Sequence, residues 1–246
     1  MIEQLQNGRV LTSESGGQGV ITVLENKLFR WLCFDDELAI QSCMPLESPE
    51  KLILPYQQYM MMWQLLAKDT ALVSASILGI GGGDIIRFLR SNFPSMKITA
   101  VDNEPRIAQF ASEYFLIKPD QVHLTLQIED ARIFIKKPHR HDLLLIDIVA
   151  NNILPDFLAE HSFWQDCHAS LNENGIMAVN FIPQSKTHFV MVLDMLRSIF
   201  GHLPLCLEVP EHKNVVLLIP LKERPELMKQ KTQEQIATEM TKWKTI

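Results

Sequence analysis

SILGIGGGDIIRFLRSNFPSMKITAVD, running from Ser76 to Asp102, is the stretch whose reading decides the fold. It opens on an apolar run, Ile77-Leu78-Gly79-Ile80, that reads as a buried strand. Gly81, Gly82 and Gly83 follow, then Asp84 and a segment of helical period, Ile85 to Arg90, which Pro94 ends. Lys97 to Val101 is a second strand closing on Asp102. Strand, glycine turn, helix, strand and terminal acid form the first half of a nucleotide-binding βαβ unit. Glycines let the backbone turn tightly and approach a ligand, and an acid ending the second strand accepts ribose hydroxyls. Asp102 stands 19 positions after Gly83, the spacing this geometry asks for. A tight turn alone gives the same glycine run; the strand before it and the acid after it are what point to a nucleoside. Asp84 argues against a dinucleotide, because it sets a negative charge where a pyrophosphate would rest. A carboxylate there suits a cationic ligand such as an S-adenosyl compound.

Outward from this unit the chain alternates helices and apolar strands. Tyr59, Met62, Trp63 and Leu66 share one face of a helix that starts at Pro55. Glu104-Pro105 opens a second helix, through Tyr114. Strands are expected at 122–128, 142–146 and 175–182, with helices at 162–171 and 186–200. Strands at 203–209 and 214–219 are joined by a connection too short for a crossover, and so are antiparallel. This is an α/β pattern: a Rossmann-like, methyltransferase-type sheet of seven mostly parallel strands. Before it, residues 8–44 read as a small antiparallel meander of about three strands (19–25, 27–34 and 37–43), too little to stand alone. The expected organisation is a β domain over 1–54, an S-adenosyl-compound-binding domain over 55–222 and a terminal helix over 223–246 carrying Ile236, Met240 and Trp243 on one face.

Composition narrows the function. With 246 residues, 47% of them hydrophobic, the chain can bury a large core, and a net charge of −6 speaks against a nucleic-acid partner. A polar N-terminus and the lack of a membrane-length apolar run lead to the expectation of a cytoplasmic protein with no membrane partner. Cys33, Cys43, Cys167 and Cys206 form no CxxC pair and read as reduced thiols. His139, His141, His161 and His168 have no carboxylate or cysteine at ligand spacing, so no metal is expected. In an open parallel sheet the ligand lies beyond the carboxyl ends of the strands. There Asp102 would hold ribose, Asp130 the adenine amino group, Asp84 the charged chain on sulfur, and Asp147 the reacting end, with Ile80, Ala131 and Val149 as apolar walls. Each acid taken singly could equally be a helix cap.

These residues resemble the spermidine synthase family of polyamine aminopropyltransferases, in its divergent, spermidine-synthase-like branch, over about residues 20–220. Gln41-Ser42 is similar to the family's Gln-Ser pair, Tyr56-Gln57-Gln58 to its Tyr-Gln-Glu motif, and Gly81-Gly82-Gly83-Asp84 to its GGGD signature. The resemblance implies a site in which Gln41, Gln57, Gly81, Gly82, Gly83, Asp84, Asp102, Asn103, Asp130 and Ala131 bind the donor and Asp147 and Tyr56 act on the acceptor. It implies decarboxylated S-adenosylmethionine as co-substrate with no permanently bound cofactor, a putrescine-like diamine as acceptor, 5′-methylthioadenosine as by-product, and a homodimer. The chain departs from the pattern at four places. Ile85 and Ile86 replace glycines, Gln58 replaces the motif's Glu, and no tyrosine follows Tyr114 to supply the late Tyr-Pro element. The aspartate that takes the attacking amine is Ala150. The donor half is thus kept and the acceptor half altered, with Asp147, Tyr56, Asp156 and Glu160 as remaining amine partners and Asp147 the choice among them. An S-adenosylmethionine-dependent methyltransferase and a nucleoside-binding homologue without catalysis are the alternative readings.

Overall fold

In the computed structural model, residues 5, 7–17, 19–35, 40–67, 72–118, 121–138, 140–148 and 155–223 are described. Val149, Ala150 and the terminal helix expected within 223–246, apart from Glu223 itself, lie outside them. The chain first forms an antiparallel sheet in the order β1 (Arg9–Gly16), β2 (Gly19–Glu25), β3 (Phe29–Phe34), β4 (Ile40–Pro45). This corrects the expected three strands to four. β1 was hard to read because no residue of it is buried. Its Thr-Ser-Glu-Ser run carries no apolar face, and the ladder to β2, from Arg9↔Glu25 to Gly16↔Gly19, holds it instead.

After α1 (Pro55–Met60) and a 3₁₀ turn (Met61–Leu65) comes the second sheet. Its elements are β5 (Ser74–Leu78), α2 (Asp84–Asn92), β6 (Lys97–Asp102), α3 (Pro105–Tyr114), β7 (Leu124–Ile128), α4 (Ala131–Phe134), β8 (His141–Ile146), a 3₁₀ turn (Asp156–Ala159), α5 (His161–Ser170), β9 (Leu171–Phe181), α6 (Lys186–Phe200), β10 (Leu205–Glu208) and β11 (Val215–Pro220). The strand order is β10-β11-β9-β8-β5-β6-β7, seven strands with β11 antiparallel to both its neighbours. Ile80 was read as part of the first strand, yet the strand ends at Leu78 and Ile80 belongs to the glycine turn. The short α4 was not anticipated, because four residues leave no helical period in the sequence.

β8 shows why the strands are apolar throughout. Leu143 and Leu145 enter one core cluster and Leu144 and Ile146 the other, so alternate side chains fill both faces of the sheet. Helices α5 and α6 cover the second face with Trp164, Cys167, Val192 and Leu196. The first face is covered by α2, α3 and the Met60-Met61-Met62-Trp63 run, and also by Ile21, Val23, Leu32 and Met44 of the small sheet. The small sheet therefore shares a core with the large one, which is how four strands too few to fold alone are held.

Successive strands β5, β6 and β7 step outward, and β8 then returns to the other side of β5. That reversal opens a crevice at the carboxyl ends of β5 and β8. Gly79 sits in it at φ +98°, and a Cβ there would lie 2.1 Å from the Asp147 carbonyl oxygen. Replacing Gly79 by Ala should therefore destabilise the protein by at least about 2 kcal/mol, since it adds left-handed strain to a backbone clash. Urea denaturation measures this, and an unchanged midpoint would contradict the packing described.

Candidate functional site

One cleft of about 1100 Å³, open mouth included, lies over the carboxyl ends of β5, β6, β7 and β8. Gln41, Tyr56, Gln57, Gly81, Asp84, Asp102, Asn103, Asp130, Ala131 and Asp147 line it, along with Ile80. Of the expected amine partners Asp156 and Glu160 do not line it, nor, of the expected donor set, do Gly82 and Gly83. They work beneath the surface: the Gly82 N–H donates to Ser42 Oγ at 2.6 Å, which ties the glycine turn to β4. Phe34, Glu104, Glu129, Arg132, Ile148 and Phe157 also line the cleft and were not expected. Glu104 was visible only as the residue opening a helix.

Asp102, ending β6, accepts the Ile80 N–H at 2.9 Å and the Glu104 N–H at 3.0 Å. Desolvation is the largest influence on it and pushes its carboxyl above the ordinary range, against these donors. It is thereby fixed in place under the glycine turn while still lining the cleft.

Asp84 differs most from its expected role. It is the first residue of α2 rather than a strand end, and its side chain is wholly buried. Arg87 donates from Nη2 to Oδ1 at 2.5 Å, while Oδ2 accepts the Cys43 N–H at 2.9 Å and Gln57 Nε2 at 3.4 Å. Arg87 is itself buried and reaches the Pro49, Gly82 and Phe115 carbonyls as well. Asp84 is thus a neutralised anchor joining β4, α1, the glycine turn and the end of α3, not a free anion. Gln57, 2% exposed, donates an amide hydrogen to Asp84, and its Oε1 has no partner among the described residues. A buried acceptor lining a cleft without a donor is where a ligand N–H would be welcome.

Asp130 caps α4 by accepting the Arg132 N–H at 2.8 Å and pairs with the Arg132 guanidinium at 2.6 Å. That side-chain bond is the first reason its carboxyl falls below the usual range. Arg132 in turn lies over the Phe157 ring at 5.3 Å. The bland reading of an acid as a helix cap therefore holds for Asp130, even though it lines the cleft.

Asp147, immediately after β8, is different again. Tyr56 donates its hydroxyl to Oδ2 at 3.2 Å, and Asn180 donates Nδ2–H to Oδ1 at 2.9 Å. Desolvation pushes its carboxyl up to about 6, opposed by these two donors and reinforced by the Asp84 charge. The Tyr56 hydroxyl is pushed up as well, first by burial and then by Asp147, and stays protonated. A carboxylate poised near neutrality with open cleft before it is fitted to take a proton. Among the described residues no group of three or more His, Cys, Asp or Glu could hold a metal ion, and no described helix is long and apolar enough to cross a membrane.

Comparison with known proteins supplies the context. No protein-family model matches the chain. Over 180 residues it is 29% identical to the polyamine aminopropyltransferase of Neisseria meningitidis serogroup A, an alignment covering 73% of this chain and 68% of that one. A probable spermidine synthase from Corynebacterium glutamicum superimposes with a TM-score of 0.77 at 18% identity, over 87% of this chain and 81% of that one. Human methyltransferase-like protein 13 in complex with SAH superimposes at 0.65 with 19% identity, over 76% of this chain and 89% of that one.

The Asp84–Arg87 anchor carries a prediction. Arg87→Met leaves a buried carboxylate without its counter-ion, and should cost roughly 3–5 kcal/mol in urea denaturation. A loss below about 1 kcal/mol would mean that the pair is not the anchor described. With a shared fold, its glycine turn and the acid ending β6 in place, the chain is a homologue of the polyamine aminopropyltransferases.

Proposed function

We propose that the protein transfers an aminopropyl group from decarboxylated S-adenosylmethionine to an amine. Adenosine would lie between Ile80 and Ala131, its ribose hydroxyls on Asp102. The ammonium of the donor's tail would meet the unpartnered Gln57 Oε1, with Asp84 acting from behind it. The amine nitrogen attacks the aminopropyl carbon bound to sulfur. That C–S bond breaks with its electron pair going to sulfur, the sulfonium becomes the neutral thioether of 5′-methylthioadenosine, and the amine proton passes to Asp147. The Tyr56 hydroxyl orients the carboxylate. A primary amine of pKa near 10.4 is mostly protonated at pH 7, so freeing its lone pair costs about 4–5 kcal/mol. A placed base returns roughly 10²–10⁴ in rate. The observation that carries this reading is the Tyr56–Asp147 hydrogen bond in the wall of the cleft, with Asp147 after β8 and Asp102 ending β6 on either side of β5.

A second reading is a methyltransferase. It is favoured by the neutral Asp84–Arg87 pair, because a tail bearing both amine and carboxylate needs no free anion there. The products distinguish the two: 5′-methylthioadenosine for aminopropyl transfer, S-adenosylhomocysteine for methyl transfer.

Incubation with decarboxylated S-adenosylmethionine and a panel of mono-, di- and polyamines, followed by mass spectrometry, should reveal 5′-methylthioadenosine with at least one of them. No product with any amine would overturn the proposal. Asp147→Asn should lower kcat by about 10²-fold or more. In the wild type, kcat/KM should rise with pH through about 6 as Asp147 loses its proton. The linkage sign also follows. The folded carboxyl is raised above its unfolded value, so its contribution to stability is present below about pH 4 and lost as pH rises through 6. Asp147→Asn should therefore be more stable than wild type at pH 8, by about 1–3 kcal/mol, with the difference vanishing near pH 4. Equal stabilities at both pH values would contradict a raised carboxyl.

A further inference from the structure

Behind Asp147 runs a line of amides that crosses the sheet. Asn180, on β9, is 2% exposed and gives its Nδ2–H to Asp147 Oδ1 at 2.9 Å. Its own Oδ1 accepts from Asn214 Nδ2 at 2.8 Å, just before β11. β8, β9 and β11 are neighbours in the sheet, and Val216 pairs directly with Asn180. Each amide is therefore locked by the next. Asn180 can offer Asp147 only its hydrogens, since its oxygen is already turned to Asn214. A buried Asn directly after the apolar run Ile176 to Val179 of β9 is costly unless both ends are used, and here both are.

We infer that Asn180 and Asn214 are positioning residues for Asp147, holding its carboxylate in the plane and rotamer from which it receives a proton. The inference rests on the proposed reaction for its purpose, though not for its test. With Tyr56 on Oδ2 and Asn180 on Oδ1, each carboxylate oxygen has one fixed donor and keeps lone pairs for an incoming amine hydrogen. The titratable groups acting on Asp147 are Tyr56 from α1 and Asp84 from the first turn of α2. From β9 the contact is the neutral Asn180 amide, and from the end of β5 it is the Gly79 backbone. The amide line thus tunes the acid without adding charge. Asn214, half-buried at the outer end, keeps Asn180 from rotating its oxygen toward the carboxylate, where two acceptors would face each other.

The test is a ¹³C NMR titration of the Asp147 carboxyl in the full chain, in wild type, Asn180→Leu and Asn214→Ala, with thermal melts of each. Losing a hydrogen bond to the charged form raises the midpoint. Asn180→Leu should move it upward by about one pH unit, and Asn214→Ala in the same direction by roughly half as much. The acid limb of kcat/KM should move with it, while KM for the adenosyl donor stays unchanged. Asn214→Ala keeps the inference testable if the Leu variant does not fold, because Asn214 lies toward solvent. A midpoint unmoved in a folded variant, with only the melting temperature lowered, overturns positioning and leaves the amides purely structural. Absence of turnover in wild type with every amine overturns the reaction instead, and the titration still decides whether the amides govern Asp147.

Discussion

A buried ion pair holds this molecule's two sheets to one another at the edge of the cleft. Asp84 and Arg87 are both out of solvent, and between them they touch β4, α1, the glycine turn, the end of α3 and the Pro49 carbonyl. Burying two charges is worthwhile only when the remaining hydrogen-bond capacity is used; the Arg87 guanidinium spends its on backbone carbonyls, and the Asp84 carboxylate accepts from the Cys43 N–H and the Gln57 amide. The consequence is positional. Ser42 Oγ sits under the Gly82 N–H, Gln57 is brought beside the cleft, and Tyr56, one residue earlier on α1, comes within reach of Asp147. The pair thereby ties the small sheet to the large one beside the wall of the cleft where Tyr56 meets Asp147.

The same constraint divides the acids into kinds. Asp84 and Asp130 are neutralised by arginines three and two residues on, and their charges serve the fold. Asp102 is held by backbone N–H groups and still lines the cleft. Asp147, like Asp102, has only neutral donors and is raised by burial, in its case to about 6, which is what fits it to take a proton in the proposed reaction. Four aspartates of similar appearance in the sequence thus fall into two kinds through their neighbours, two paired with arginines and two held by neutral donors.

How far the sequence revealed this depends on the range of the interactions involved. The βαβ unit, the parallel sheet with its antiparallel β11 and the lining acids were legible, because period, glycine placement and strand-end acids are local signals. β1 was missed for want of an apolar face, and α4 for want of length. Arg87 had a local signal, its i, i+3 spacing from Asp84 on a helix, yet the Asp84 carboxylate was taken to be free for ligand. Asn180 and Asn214 left no trace, since what makes them matter is their adjacency to Asp147 across three strands. Glu104 was readable as a helix opener but not as a wall of a cleft, and Arg132, in the unanticipated α4, was not read at all.

The central claim is that this cleft takes adenosine bearing a sulfur-linked chain, with Asp102 on the ribose. Isothermal titration calorimetry with 5′-methylthioadenosine, decarboxylated S-adenosylmethionine and NADH tests it most directly. Saturable heat is expected from both adenosyl compounds and none from NADH, with affinity falling by about tenfold or more in Asp102→Ala. Binding of NADH in their place, or no heat from either adenosyl compound, would contradict it.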